Sequence, residues 1–439
     1  MSLKQACLID SLFIETDLEK PILYEPLEPK LAHDTIIETI DIMQKSCVHK
    51  NNNPNLYIEV EKISHEHLSE LIDQGWCRRG KRVMKPILDD TTCCSRYGLR
   101  TELTKFRLTR SLKISLKRMK KYIQTNVPDL SETCQEEKSE AHPELSQEEL
   151  LDFTQKEMEE FLRTATKEKS KKGDDIDKVL GEELKEIAKG GKHNIEVSLV
   201  ALNSPEFNAT YQESFDLFCK WNRAVHDQED WCNKEFFDTS FCITPLQNIQ
   251  DEDNELGVMG TFHLHFRIDG KLVGVAEIDI LTKYLCVNLN WYHPEYRVIG
   301  IGIFMIMSNM SLAYQISKVR PELKYFSGGV IETNRPRQNY KCYLSTEMLC
   351  DWTRRWVPIA DAVRKIHEAK GRYASFLPNE LPMKLSDFFS ISCLFNGETH
   401  HFGRIRKQIK NEKELEENLR GLSKAAGLVA NEFIVKIQS

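Results

Sequence analysis

The sequence contains no hydrophobic run that could span a bilayer. Its longest wholly apolar stretch, Val298 to Met307, is too short, since a spanning helix needs about 20 apolar residues. The opening residues, MSLKQACLIDSLFIETDLEK, have no basic region followed by a sustained apolar core, which a secretory leader requires. We therefore expect a cytoplasmic or nuclear protein without a membrane partner.

The sequence also lacks an excess of positive charge. Its formal net charge is −7 at pH 7, so a nucleic acid would have to bind a local basic patch. The 13 cysteines are odd in number and form no short disulfide framework, which is typical of a reducing compartment. The 439 residues, 41% of them hydrophobic, are sufficient for two or three folded domains.

The stretch Gly260 to Gly302 is the most informative, because it predicts three strands followed by a helix. It reads GTFHLHFRIDGKLVGVAEIDILTKYLCVNLNWYHPEYRVIGIG. Apolar and polar residues alternate up to Asp269-Gly270, a dipeptide typical of a two-residue type I′ turn. This turn would pair Phe262 with Glu277, and it would place both Glu277 and Asp279 on the apolar face of the hairpin.

Two carboxylates on an apolar face are costly unless they are paired or hydrogen-bonded. A cationic ligand would satisfy Glu277 and Asp279. Alternatively, the strand leaves the core at this point and water solvates both acids. The sequence leaves both interpretations open.

A basic amphipathic helix is predicted over about Leu112 to Ile123. Apolar residues recur at helical spacing at Leu112, Leu116, Met119 and Ile123. The polar side carries a lysine cluster, which Arg107, Arg110 and Arg118 extend: Lys113, Lys117, Lys120 and Lys121. This surface is either a phosphate-binding patch or an ordinary solvated helix face.

The remaining pattern predicts an α+β fold with a mixed sheet. Helices are expected near residues 34–44, before Gly75, over 204–227, over 299–317 and over 412–426, and strands near 287–291, 324–331, 388–395 and 432–437. The acidic and lysine-rich stretch from 129 to about 175 is typical of a linker.

Arg297, Gly300 and Gly302 fit the R-x-x-G-x-G loop of GNAT-type acyltransferases. Glycines at the start of a helix let backbone N–H groups approach a phosphate. The strand, loop and helix order around RVIGIG is the order that this use requires. Alternatively, the glycines serve only tight packing.

Motifs in both halves of the chain resemble, in order, those of the arginyl-tRNA–protein transferases. The N-terminal half carries LIDQGWCRRGKRVMKP (71–86) and TCC (92–94) before the basic helix. The C-terminal half carries IDGKLVGVAEIDIL (268–281), YHPEY (292–296), YK (340–341), MLC (348–350) and WVPI (356–359). The resemblance covers about residues 46–437 without the linker.

The resemblance implies a divergent arginyltransferase with two functional domains. After an N-terminal extension (1–45), it predicts an N-terminal domain of the metal or iron-sulfur type (46–128), a charged linker (129–190) and a GNAT-like catalytic domain (191–439). Such an enzyme takes arginine from arginyl-tRNA and transfers it to proteins with N-terminal Asp, Glu or oxidised Cys. The product is marked for ubiquitin-dependent degradation. We expect a monomer.

The resemblance and the charge pattern together suggest residue roles. Asp279, with Glu277, would hold the arginine guanidinium, since a carboxylate matches its donors. Tyr292, Tyr340 and Lys341 would orient the ester or the acceptor amine. Other substrate contacts would come from the RVIGIG loop for tRNA phosphates (Arg297, Gly300, Gly302), from the lysine cluster for tRNA, and from a basic turn for the acidic acceptor residue (Arg78, Arg79, Lys85). That turn could equally be a solvated surface.

The cysteine site of the family is only partly kept. Cys93 and Cys94 match, whereas SCVHK (46–50) replaces a CxxC motif, so the ligand set would be Cys47, His49, Cys93 and Cys94. These residues could hold zinc or an iron-sulfur cluster, or they could have lost the metal. The transfer chemistry itself needs no cofactor.

Two further departures lie nearer the chemistry. HPE (293–295) stands in place of an Asp-Pro-Asp-like turn, and RPRQNYKCY (335–343) is one residue shorter than the pattern of the family. Activity or acceptor choice could have changed for this reason, which leaves open an arginine cyclodipeptide synthase and an inactive homologue that binds tRNA or acidic N-termini. An acetyl-CoA-dependent enzyme also stays open, favoured only by RVIGIG.

Overall fold

The computed structural model of the protein describes residues 35–44, 54–89, 92, 95–128, 159, 161–163, 180–249, 256–333, 338, 340–369 and 373–437. In chain order the strands are β1 Ile36–Gln44, β2 Pro54–Lys62, β3 Cys77–Arg79, β4 Arg82–Pro86, β5 Arg96–Glu102, β6 Ile195–Ala201, β7 Gly260–Ile268, β8 Lys271–Ile280, β9 Tyr284–Tyr292, β10 Tyr325–Ser327, β11 Val330–Glu332, β12 Glu347–Cys350, β13 Arg355–Pro358, β14 Ser392–Phe395, β15 Glu398–His401 and β16 Ile434–Lys436. The helices are α1 His65–Asp73, α2 Arg110–Thr125, α3 Glu182–Ala188, α4 Pro205–Trp221, α5 Lys234–Phe237, α6 Ile301–Val319, α7 Tyr340–Leu344, α8 Ile359–Glu368, α9 Phe402–Ile405 and α10 Glu412–Ala426.

A seven-stranded sheet joins the two ends of the described chain, in the order β15-β14-β16-β1-β2-β4-β3. β16 is parallel to both β1 and β14, whereas the other neighbours are antiparallel. The helix expected near residues 34–44 is wrong, because this segment is β1. Its β-branched residues favour a strand, and Ile37 and Ile40 enter a core that α1 and α10 also line.

The second sheet of the fold has nine strands. Its main path is β13-β12-β5-β10-β9-β8-β7-β6, and β11 pairs with β5. The apolar helix α6 packs on one face, and α4 covers part of the other with the buried rings of Phe218 and Trp221. The predicted α+β class with mixed sheets is confirmed. Neither α6 nor any other helix in the described ranges has the length and apolar character needed to cross a membrane.

The predicted register of the central hairpin is wrong beyond its turn. Ile268 pairs with Lys271 as expected, but a β-bulge at Val273 shifts the rest by one residue, so that Glu277 pairs with His263 and Asp279 with Thr261. The alternation of apolar and polar residues predicts the wrong register because both faces of β7 are buried, with His263 only 1% exposed. Solvation of the two acids is also excluded, because Glu277 and Asp279 are 0% exposed.

The basic helix α2 lies on the same side of the nine-stranded sheet as α6. It begins after a Thr109 cap, and its apolar residues enter the core beneath α6, as predicted. α3, at the end of the predicted linker, packs into this core too, and Lys120 pairs with Glu186 across the two helices at 3.2 Å. The domain boundaries remain predictions, although the strand pairing of both sheets crosses them.

The β3–β4 turn is the point at which the seven-stranded sheet touches the segment after α5. Gly80 has a φ of +58°, and a Cβ there would lie 1.9 Å from the carbonyl oxygen of Thr239. Gly270 also has a positive φ, of +78°, but open space surrounds it. A substitution at Gly270 therefore tests backbone strain alone, whereas one at Gly80 tests strain together with tight packing.

We expect Gly80→Ala to lower the free energy of unfolding by about 3–5 kcal/mol, because strain and a clash with main-chain atoms add. Gly270→Ala should cost only about 1–2 kcal/mol, from strain alone. Urea denaturation of both variants measures the difference. Equal losses would show that the hairpin does not dock closely at Thr239.

Candidate active site

Arg78 on β3 bonds to both carboxylates that the sequence singles out on β8. Its Nε donates to Oδ2 of Asp279 at 2.7 Å, and its Nη2 donates to Oδ1 of Asp279 at 2.7 Å and to Oε1 of Glu277 at 2.8 Å. Its Nη1 donates to the carbonyl oxygen of Gly80 at 2.7 Å. The guanidinium thus makes a bidentate ion pair with Asp279 and a further hydrogen bond to Glu277.

Asp279 is bonded further than Glu277. It accepts hydrogen bonds from the Thr261 hydroxyl at 2.7 Å and from Nδ2 of Asn288 at 2.9 Å. Glu277 keeps one buried oxygen, Oε2, that has no hydrogen-bond partner in the described part of the chain. Asp279 is therefore the centre of a saturated network, and Glu277 retains an unused acceptor.

The charges of this cluster follow from its burial. Removal from water disfavours the charged form of Arg78, but Asp279 and Glu277 outweigh that effect and raise the pKa of the guanidinium. Burial raises the pKa of Glu277 to about 7, against the opposing effect of Arg78. Glu277 therefore gains or loses its proton near neutral pH.

The sequence predicts Asp279, Glu277 and Arg78 as site residues, but in separate roles. The structure brings the three together, and the guanidinium between the acids belongs to the chain itself. Sequence patterns give no signal for this contact, because Arg78 and Asp279 are 201 positions apart. The cluster connects the β3–β4 hairpin to the nine-stranded sheet.

A split between β9 and β10 opens next to this cluster. The parallel pairing of the two strands ends where Ser327 faces Cys286, and β11 then pairs with β5 instead. Across the structured ranges, residues 287–292 of β9 consequently have a strand partner on the β8 side alone. Gly328 and Gly329 follow β10, and open space lies where their Cβ atoms would be.

Groups capable of proton transfer and hydrogen bonding lie around the split. Lys341 at the start of α7 donates to the carbonyl oxygens of Gly328 at 3.0 Å and Val330 at 2.9 Å. Burial lowers the pKa of Lys341 to about 8. On β9, Oδ1 of Asn290 is buried without a partner among the residues described.

Tyr292 and Tyr340 are both half-buried and pack against the core beneath α6. Tyr292 ends β9, and Tyr340 directly precedes Lys341. Of the four predicted catalytic residues, Tyr292 lies on β9, Tyr340 and Lys341 begin α7, and Asp279 lies on the neighbouring β8, where it holds Asn288 of β9. No sequence signal pointed to Asn288 or Asn290 beyond the strand pattern.

The glycine loop lies beneath the basic helix. Arg297 belongs to a 3-10 turn, Gly300 has a φ of +81°, and Gly302 is buried in the first turn of α6. A Cβ at Gly300 would lie 3.1 Å from the backbone oxygen of Ser115 on α2. The tight-packing interpretation thus has structural support, and the loop adjoins the lysine cluster. Of that cluster, Lys117 and Lys121 are exposed, and Lys113 and Lys120 are half-buried.

The other two basic residues of the predicted acceptor turn differ in their surroundings. Lys85 is buried and donates to Oδ1 of Asp351 at 2.8 Å, and burial lowers its pKa to about 8. Arg79 is half-buried, and its guanidinium lies over the rings of Trp231 at 5.9 Å and Phe241 at 6.0 Å. Lys85 is thus committed to an internal ion pair, whereas Arg79 is stacked on aromatic rings.

The predicted metal ligands Cys47, His49, Cys93 and Cys94 lie outside the described residues. Among the residues that the structure does describe, no group of three or more His, Cys, Asp or Glu side chains is arranged to hold a metal ion. The metal site therefore stays a prediction.

We expect Arg78→Met to lower the free energy of unfolding by about 3–5 kcal/mol at pH 8, because two buried carboxylates lose their counter-charge. The loss should be smaller at pH 5, because a protonated Glu277 needs no counter-charge. The pKa of Glu277 in the folded protein is raised, so its protonated form favours folding below that pKa, and this contribution disappears as the pH rises through about 7.

Urea denaturation at pH 5 and pH 8 provides the measurement. Arg82→Met is the matched control on the same hairpin, because Arg82 is exposed and its contact with Glu59 is long, at 3.7 Å. The control should change the free energy by less than about 0.5 kcal/mol. A loss for Arg78→Met that is independent of pH would contradict the account of Glu277.

Comparison with known proteins gives two matches that include most of these residues. The model described as "Arginine-tRNA-protein transferase, N terminus" matches residues 43–114, and "Arginine-tRNA-protein transferase, C terminus" matches residues 213–350. The first range includes β3 with Arg78 and Arg79, and the second includes β8, β9, α6 and Lys341.

Individual relatives agree with these matches. Arginyl-tRNA--protein transferase 1 of Drosophila melanogaster is 27% identical over 247 residues, which cover 54% of this chain and 50% of that protein. Arginyl-tRNA--protein transferase 1 of Dictyostelium discoideum is 31% identical over 122 residues, covering 28% and 19%, respectively. The chain thus spans half the length of these relatives or less. The N-terminal and the C-terminal model of the arginyl-tRNA–protein transferases thus both match this chain, in that order, and the individual relatives carry the same name.

Proposed function

We propose that this protein transfers arginine from arginyl-tRNA to the α-amine of proteins whose first residue is Asp, Glu or oxidised Cys, and so marks them for ubiquitin-dependent degradation. The family matches support the reaction class. The observation that carries the proposal is the split between β9 and β10, which combines an open strand edge with a buried amine of lowered pKa at Lys341.

The catalytic part is GNAT-like in this proposal. Three antiparallel strands, β7 to β9, lead through the glycine loop into α6, and β10 then returns parallel to β9. This order supports a domain of that type within residues 191–439. The arginyl ester would lie in the split, with the 3′ end of the tRNA towards the glycine loop and the lysine cluster of α2.

The chemistry asks little of the enzyme. An arginyl ester is already activated, and an α-amine with a pKa of about 8 is partly neutral at physiological pH. Positioning, proton removal and stabilisation of the oxyanion are sufficient. Lys341, with its lowered pKa, can accept the proton of the attacking amine and pass it to the 3′-oxygen of the tRNA, which leaves as a hydroxyl group when its bond to the arginyl carbonyl carbon breaks. The hydroxyl groups of Tyr292 and Tyr340 can orient the ester.

The contacts of Asp279 favour a positioning role. It fixes Arg78 on one side and Asn288 of β9 on the other, so it sets the edge along which the ester would lie. Direct binding of the substrate guanidinium by Asp279 stays a prediction, and it would require the substrate to replace Arg78. The unused oxygens Oε2 of Glu277 and Oδ1 of Asn290 are alternative acceptors.

The proposals about cofactors, partners, oligomeric state and location rest on the sequence analysis. No cofactor is needed for transfer, and the cysteine set would hold zinc or an iron-sulfur cluster in the N-terminal part. The partners would be arginyl-tRNA and proteins with acidic N-termini. A monomeric state and a cytoplasmic or nuclear location complete the proposal.

One incubation series tests the reaction. The protein is given labelled arginyl-tRNA or labelled acetyl-CoA, together with peptides beginning with Asp, Glu or Ala, or with a free amino acid. We expect label on the Asp and Glu peptides, only from arginyl-tRNA. Lys341→Met should lower kcat by roughly 10²–10⁴-fold, because a proton acceptor is lost. Lys424→Met, an exposed lysine on α10, which packs on the seven-stranded sheet, should leave kcat unchanged.

Each other outcome would reject the proposal in favour of a specific alternative. Transfer from acetyl-CoA would indicate an acetyltransferase, and arginine joined to the free amino acid would indicate a cyclodipeptide-forming enzyme. Binding without any transfer would indicate an inactive homologue.

A further inference from the structure

The Arg79 platform, defined as Arg79 with Trp231, Phe236 and Phe241, is a cation on an aromatic surface. Trp231 stacks on Phe236 at 5.4 Å with an interplanar angle of 21° and remains 37% exposed. The Arg79 guanidinium lies over Trp231 and Phe241. The platform joins β3 to the segments on either side of α5.

The guanidinium of Arg79 makes no hydrogen bond and no ion pair with the described residues. Its neighbours differ in this respect, since Arg78 binds two carboxylates and Arg82 pairs with Glu59. The N–H donors of this guanidinium are therefore available to a ligand, and they match a carboxylate in a fork. Arg79 therefore has the chemistry of an anion receptor.

The position of Arg79 is fixed by its surroundings. It pairs with Arg82 across the hairpin, and the following residue is Gly80, which docks against Thr239. A receptor on such a rigid turn loses little conformational entropy when it binds a ligand.

The platform also lies close to the reacting groups. β3 packs against β9, and Arg78, the preceding residue, bonds to Glu277 and Asp279. Burial raises the pKa of Glu277, and the charge of Arg79 opposes that shift, so the two groups lie within electrostatic range. A ligand held at Arg79 would extend towards the split.

The charges around the platform favour a small carboxylate over a nucleic acid. The loop before Trp231 reads DQED and carries the exposed acids Asp227 and Asp230, whereas Glu229 is neutralised by Arg223 at 2.6 Å. These acids repel a phosphate backbone, but they attract the positively charged amine of a protein N-terminus. The lysine cluster that suits tRNA lies instead on α2.

We propose that the Arg79 platform binds the side-chain carboxylate of the acceptor's first residue. The guanidinium edge takes the carboxylate, and the aromatic rings exclude water from the contact. This inference rests on the proposed function, since it names the subsite by which an acidic N-terminus would be selected.

The test combines binding and turnover. Fluorescein-labelled peptides that begin with Glu or with its neutral isostere Gln are titrated with the wild-type chain and with Arg79→Gln, and anisotropy reports affinity. Wild type should prefer the Glu peptide, and Arg79→Gln should weaken its binding by about tenfold or more, which is the effect of losing a charged fork. The Gln peptide should bind both proteins equally.

Arg79→Lys tests the fork itself, and it should restore only part of the affinity because lysine cannot bind bidentately. Arg82→Gln is the control on the same turn and should resemble wild type. In transfer assays, Arg79→Gln should raise the KM of the Glu peptide, with little change in kcat or in the KM of arginyl-tRNA. Thermal unfolding verifies that each variant is folded.

The outcomes separate this inference from the proposed function. Transfer with unchanged peptide affinity in Arg79→Gln and Arg79→Lys would overturn the subsite and keep the function. Selective Glu-peptide binding that depends on Arg79, without transfer by wild type, would support the subsite and reject the function. A loss of arginyl-tRNA affinity with normal peptide binding would assign Arg79 to RNA and overturn the inference. No binding and no transfer by wild type would reject both.

Discussion

The bond between Arg78 and the paired acids Glu277 and Asp279 is the interaction on which the rest of the structure depends. It connects the β3–β4 hairpin of one sheet to β8 of the other, in a region where all three side chains are buried. Removing three charged groups from water is expensive, and well-packed apolar residues often replace such clusters without loss of stability. The cluster therefore serves to position the neighbouring elements more than to stabilise the fold. Through Asp279 it holds Asn288 and the β9 edge, and through Arg78 it sets the turn that carries Arg79 and Gly80.

Under the proposed function, this arrangement would let a chain with a negative net charge bind both an RNA and an acidic protein. A lysine cluster lies on α2, next to the glycine loop, and β3 carries Arg79 over aromatic rings. Between these places lies the split with the buried amine of Lys341, where low polarity lowers the pKa of the amine towards that of an acceptor α-amine. In this account the tRNA, the ester and the acceptor approach from different sides and meet at the open edge of β9.

The sequence predicts the elements better than their contacts. The apolar periodicity of α2, α4, α6 and α10 identifies each helix, since each presents one buried stripe or is buried all round. The helix predicted for residues 34–44 is wrong because a short apolar segment with charges fits the periodicity of a helix as well as that of a strand. The strand is determined by the pairing of β1 with β2 and β16. The hairpin register failed at Val273, because a bulge leaves no local signal when both faces of a strand are buried. The site residues Asp279, Lys341 and Arg79 were named from motifs, but the partner of each depends on contacts between distant segments.

The central claim is that the aminoacyl end of the tRNA lies in the split between β9 and β10. Hydrogen–deuterium exchange with a stable amide analogue of 3′-arginyl-adenosine tests it most directly, because the analogue carries both the arginine and the terminal nucleoside but cannot react. The account predicts slower exchange at the amides of residues 287–292 and 327–330, with little change in the seven-stranded sheet. Protection confined to other segments, or none at saturating analogue, would contradict it.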